Sequence, residues 1–316
     1  MTEPLRPMST GQLLDQTFAL FRKNFLLFVG IATVGPAANV IFQLLTVGAN
    51  VASPFGARRA ATGIAAGATL ALGVIVGYLI MLAGMAISHA ATVKAVAAVH
   101  LGRETSVVAA YKALRGRILS LFGTFGLIAL IVGAAAVVIV IVMSLIIGLM
   151  VAGRGARGTA DPTAAAALGI VVIIAAVLAF ALFIAIYVRY ALAIQACVVE
   201  GLGPRASLKR SVFLSKGSRW RVVAIYLVFV LLSLILGGGL GALAGGAGAL
   251  LHNKITAAIL IYLAGFVAGS LTGPLATIGL SLLYYDERVR KEAFDLQLML
   301  SSLDAPAVPI AVPAQI

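Results

Sequence analysis

The sequence predicts an all-α polytopic membrane protein, a six-span transmembrane helical bundle, on three observations. The first is composition: 62% of the 316 residues are hydrophobic and only 10% are charged. A soluble domain needs about a quarter of its residues charged to cover its surface. The second is charge spacing. Six windows free of Asp, Glu, Lys and Arg run over 24–57, 60–93, 118–153, 162–188, 222–253 and 255–285. The third is the one-sided distribution of the basic residues around those windows.

Each window holds one span. A spanning helix takes about 20 apolar residues, and two spans with a turn take more than about 40; the windows are 27 to 36 residues long. The spans are placed at about 25–48, 64–88, 119–150, 165–188, 222–250 and 255–284, inside a single transmembrane domain of residues 1–300. The first is read as a retained span, because its apolar stretch is too long for a signal peptide. With the N-terminus inside, the cytoplasmic segments carry 17 of the 23 basic residues and the opposite side carries five. The positive-inside rule then places both termini in the cytoplasm. The net charge of +13 follows from this bias and from scarce acids, so no nucleic-acid partner is expected.

Three short basic segments precede pairs of spans, at about 9–24, 105–117 and 204–218. In the first, Ser9 and Gln12 have capping-box spacing, and Leu14, Thr17, Phe18 and Phe21 share a face opposite Asp15 and Arg22. In the second, Val107, Tyr111, Leu114 and Ile118 line one face. The third starts at Pro204, a residue suited to a helix's first turn. These are read as amphipathic helices in the cytoplasmic interface, giving three interfacial-helix-plus-hairpin units. The competing reading is that any even-topology membrane protein puts basic segments before its inward-starting spans. Residues 301–316 read as a flexible Pro-rich tail.

The segment from Tyr187 onward reads YVRYALAIQACVVEGLGPRASLKRSVFLSKGSRWR. An Arg at a span end, a Val-Glu-Gly turn, Ser-Leu-Lys-Arg-Ser and Lys-Gly-x-x-Trp-Arg together resemble the signature of a bacterial family. That family is named for the membrane domain of some glycerophosphoryl diester phosphodiesterases. The stretch LRPMSTGQLLDQTFALFRKNF is similar to the family's opening. The hydrolytic chemistry of those enzymes belongs to a separate soluble barrel that these residues do not include. The resemblance therefore implies a multi-pass protein of the bacterial cytoplasmic membrane and no phosphodiesterase activity.

Chemistry is sparse. The windows exclude carboxylate dyads, and the single Cys197 excludes a disulfide framework. His89 and His100, eleven residues apart on one helix, lie roughly 16 Å apart, too far to share a metal. Gly269-Ser270-Leu271-Thr272-Gly273 lacks the glycine two before the serine that a nucleophile elbow needs. No catalytic residue, cofactor or metal site is assigned. The ionisable groups of most interest are Arg189 and Glu200, placed to pair or to cap the third basic helix. With Lys209, Arg210, Lys216, Trp220 and Arg221 they form a candidate surface for lipid head groups or a partner. Gly265, Gly269 and Gly273, like Gly73 and Gly77, have small-xxx-small spacing for helix packing. Gly35-Pro36 and Gly273-Pro274 mark candidate helix breaks in the first and last spans.

Two functions stay open at this level. One is a non-enzymatic scaffold engaging anionic lipids, a protein partner or a second copy through its basic cytoplasmic face. The other is a permease or hydrophobic-solute transporter with a site near Pro36 and Pro274.

Overall fold

The computed structural model describes residues 7–51, 64–100, 102–155 and 162–293. The tail at 301–316 lies outside these. Among the described residues the chain forms eleven helices and no strand. They are α1 (Thr10–Lys23), α2 (Phe25–Ala32), α3 (Val34–Val51), α4 (Ile64–His100), α5 (Val107–Lys112), α6 (Ile118–Gly155), α7 (Pro162–Tyr190), α8 (Ala193–Glu200), α9 (Pro204–Ser215), α10 (Arg219–Leu250) and α11 (Lys254–Glu292).

Six stretches are long and apolar enough to cross a membrane: Phe25–Thr46, Leu72–His100, Ile118–Leu145, Ile170–Glu200, Arg219–Leu250 and Ile255–Glu292. Helices neighbouring in sequence pack as pairs: α3 with α4, α6 with α7 and α10 with α11. The capping box expected at Ser9 is formed: its hydroxyl accepts from Gln12 N, and the Gln12 side chain accepts from Ser9 N.

Two helices run past the expected span ends where protein surrounds them. α4 continues twelve residues past position 88, because Ala90, Ala91, Val93, Ala95 and Val96 belong to the core. α11 continues to Glu292 with Asp286 and Glu287 buried. The segment at 105–117 is regular helix only over Val107–Lys112; Gly116, at φ +83°, takes it out of the helix before α6 begins.

The core sits at one end. Leu13 of α1, Phe28 and Ile31 of α2, Val93 and Val96 of α4, Leu192, Leu214, Ile225, and Ile278, Leu282 and Tyr284 of α11 are fully buried or nearly so. Toward the other end the helices present apolar side chains outward, among them Leu72, Leu130, Ile141, Ile173, Phe180, Ile235 and Leu243. In water that surface would be untenable. For helices of this length and composition lipid is the matching solvent.

Two helix breaks are stitched inside this core. Pro36 has no N–H for the Ala32 carbonyl, and the chain leaves α2 at Thr33. The Ser88 hydroxyl reaches the Ile31 and Ala32 carbonyls at 3.2 and 3.4 Å, and the Tyr111 hydroxyl donates to Ile31 O at 2.6 Å. Burial pushes the Tyr111 phenol up to about 12, which keeps it a neutral donor. Pro274, by contrast, sits inside a helix that runs on through it.

The second break, between α7 and α8, involves no proline. Ser211 of α9 accepts from Leu192 N at 3.1 Å and donates to Arg189 O at 3.0 Å, serving both sides. Ser207, Ser211 and Ser215, at four-residue spacing, are fully buried, so α9 packs on α7 and α8 through serines. Ser211→Ala should cost about 1–3 kcal/mol by leaving the buried Leu192 amide unpaired. Thermal unfolding in detergent measures it; an unchanged midpoint would mean the break needs no such partner.

Candidate functional site at the charged end of the bundle

The last two turns of α11 read Asp286-Glu287-Arg288-Val289-Arg290-Lys291-Glu292. Helical spacing pairs them internally: Arg290 with Asp286 at 2.8 Å, Lys291 with Glu287 at 3.1 Å and Arg288 with Glu292 at 3.3 Å. Each also reaches another element, so this helix end is the hub of two linked clusters.

In the first cluster, Glu200 at the end of α8 meets Arg210 of α9, whose Nε donates at 2.9 Å. Arg210 grips Glu292 with both Nη atoms, a two-pronged pairing that suits guanidinium to carboxylate. The Tyr284 hydroxyl donates to Glu200, and Arg288 lies 5.9 Å from the Tyr284 ring centroid. The hydrogen bond to Glu292 holds the Arg210 guanidinium above its ordinary range against its desolvation, with its contacts to Glu200 acting in the same direction.

In the second cluster, Arg221 at the start of α10 donates to Asp286 at 2.6 Å and to Glu287 at 2.8 Å. Asp286 accepts from Met8 N at 2.6 Å, while Arg221 and Arg290 donate to Met8 O at 2.9 and 2.7 Å. The segment before α1 is thereby tied to the chain's far end. Lys291 donates to the Lys216 carbonyl at 2.7 Å and also reaches Leu214 O, capping the end of α9.

The seven sequence candidates therefore divide. Glu200, Arg210 and Arg221 are taken up in these clusters, while Arg189, Lys209, Lys216 and Trp220 are exposed. Glu200 pairs with Arg210 and Arg288. Arg189, expected to pair with Glu200 or cap the third basic helix, contributes its backbone carbonyl to α9 through Ser211. The residues that sequence reasoning missed are Tyr284, Asp286, Glu287 and Glu292. Their signal was the alternation of acids and bases at four-residue spacing within Asp286–Glu292. A count of basic residues alone passes over it.

The clusters leave the surface strongly one-signed. Among the described residues at this end, Arg22, Lys23, Arg103, Lys112, Arg115, Arg117, Arg189, Arg205, Lys209, Lys216 and Arg219 are exposed. The exposed acids there are Asp15 and Glu104. The four carboxylates of the clusters are buried or half-buried and paired with five cations, of which Arg290 and Lys291 are themselves exposed, so they are not free to pair with this outer layer. Trp220, 79% exposed, stands among the cations at the start of α10.

Among the described residues no three His, Cys, Asp or Glu side chains converge where a metal could bind. His89 Nδ1 meets the Thr277 hydroxyl at 2.8 Å, and His100 stacks on Tyr285 at 5.4 Å. Of the glycines expected at helix contacts, Gly77 faces Phe42 and Gly269 faces Pro36, while Gly73, Gly265 and Gly273 have open space.

Six apolar membrane-length helices, a core at one end and a charge-clamped hub define the class: a multi-pass α-helical membrane protein. Comparison with protein-family models, with curated proteins and with solved structures finds no match.

Proposed function

We propose that the chain is a non-enzymatic protein of the bacterial cytoplasmic membrane, with both termini inside, that engages anionic lipid head groups through its basic cytoplasmic face. The observation that carries this reading is the charge partition. Among the described residues, the four buried or half-buried carboxylates are paired within the α11 hub, and the eleven exposed cations outside the hub face two exposed acids. Each such cation near an anionic leaflet contributes on the order of 1 kcal/mol. Trp220 supports the placement, since an exposed indole among cations suits head-group depth. The motif resemblance from Tyr187 to Arg221 points to the same membrane.

The permease alternative asks for space between the proline-bearing spans. There the Pro36 ring lies against Gly269, where an added Cβ would stand 3.0 Å from it, and the Thr272 hydroxyl is turned onto Ala268 O. That packing favours the scaffold reading. Purification in mild detergent followed by mass spectrometry of co-purifying lipids tests it. Anionic phospholipid should be enriched over its share of the membrane, and Lys209→Gln/Lys216→Gln/Arg219→Gln should reduce the enrichment. Recovery of lipids in bulk proportion by the unaltered protein would overturn the proposal.

A further inference from the structure

A groove of about 680 Å³ lies between the first turns of α6 and the start of α9. Its volume falls within the range of about 300–1,000 Å³ typical of ligand sites. Phe122, Leu127 and Leu130 make its wall on α6, and Pro204 and Arg205 close it from α9. Gly123 lets the two helices meet, since a Cβ there would stand 2.7 Å from the Pro204 ring. Gly126 does the opposite: a Cβ would meet nothing within 4 Å, so its position forms an open floor.

The groove is apolar along its length and cationic at one end. Arg205 lines it, and the Arg117 guanidinium lies over Gly201, two residues before Gly203 of the lining. Both arginines are exposed. From Phe122 to Leu130 the lined face of α6 rises about 12 Å into the apolar span. A cationic head and an apolar trough of that length match an amphiphile with a negative head and a hydrocarbon tail. α6 is also open to such an occupant, for no residue of its most apolar window is buried.

We infer that this groove holds one acyl chain of an anionic phospholipid, with the phosphate between Arg117 and Arg205. The inference rests on the reading that this end faces an anionic leaflet, and it names the lipid's seat.

Native mass spectrometry of the full chain, loaded with phosphatidylglycerol or phosphatidylcholine in detergent, tests it. The unaltered protein should retain one phosphatidylglycerol that survives delipidation. Gly126→Leu, which fills the open floor, should lose that lipid while keeping the general anionic enrichment and the unfolding midpoint. Arg117→Gln/Arg205→Gln should lower the preference for phosphatidylglycerol over phosphatidylcholine at the retained site by roughly tenfold or more, at on the order of 1 kcal/mol for each charge. This pair leaves the floor untouched and serves if Gly126→Leu folds poorly. A lipid retained equally by all variants, or none retained by the unaltered protein, would overturn the groove while leaving the basic-face proposal standing. Loss of anionic enrichment from the unaltered protein would overturn both.

Discussion

Replacing Arg221 with Met should be among the most damaging single changes in the chain, lowering stability by about 3–5 kcal/mol. The size follows from what is left behind. Asp286 and Glu287 are each only 2% exposed, and Arg221 bridges them from another helix. Without the guanidinium, two carboxylates remain buried side by side, held by Arg290 and Lys291 of their own helix and, for Asp286, by the Met8 amide. Met8 O loses one of its two donors as well. The informative partner is the neutralised triple variant Arg221→Met/Asp286→Asn/Glu287→Gln, which removes the pairing and the stranded charge together. It should recover much of the loss, since deleting a whole buried ionic group costs less than breaking it. Thermal unfolding of purified protein and monodisperse yield in detergent provide the measurement. A single variant as stable as the parent would mean that the hub is not what joins α10, α11 and the N-terminal segment.

The second large effect is expected at Gly84→Leu. α3 and α4 approach so closely that a Cβ at Gly84 would overlap the Ala38 methyl and stand 3.3 Å from Val34 O. The helices cannot simply separate. Ser88, one turn on, holds the carbonyls freed at the α2–α3 break, and Pro36 on α3 rests against Gly269 of α11. A leucine must therefore break these contacts or distort α4, at a cost of about 3 kcal/mol or more, the upper part of the overpacking range. Gly84→Ala should show a smaller loss, and Gly84→Ala/Ala38→Gly should regain it, because the offending methyls are then exchanged across the contact. Failure of the second change to compensate would place the strain elsewhere.

Much of the fold is legible from simple rules because lipid imposes them. A span must be long and apolar, and charges must lie outside it, so the windows between charged residues locate all six membrane-length helices. The rules fail where protein replaces lipid as the surroundings. Lys94 does not end α4, because the helix passes through the bundle's core there. Asp286 and Glu287 do not end α11, because Arg221, Arg290 and Lys291 neutralise them. The third of the short basic segments shows the same limit. The 204–218 stretch has no clean apolar stripe, and α9 is held by serine hydroxyls bonded to a neighbouring helix's broken ladder. Such bonds have no periodic signature.

The candidate surface was half legible. Arg189, Lys209, Lys216 and Trp220 could be picked out as exposed groups from their place between spans. That Glu200, Arg210 and Arg221 serve the interior could not, since what draws them inward is α11, whose Tyr284, Glu292, Asp286 and Glu287 lie 65 to 84 positions away from the groups they bind. What the sequence by itself determined is the solvent: 62% hydrophobic residues with 10% charged, arranged in six charge-free windows, require a membrane and count its crossings. What only the tertiary structure decided is which charges remain outside. Pairing of Arg221 with Asp286 and Glu287, at 2.6 and 2.8 Å, and of Arg210 with Glu292 depends on the ends of α9, α10 and α11 being brought together, and it turns a scattered excess of bases into a basic face with its acids folded inward.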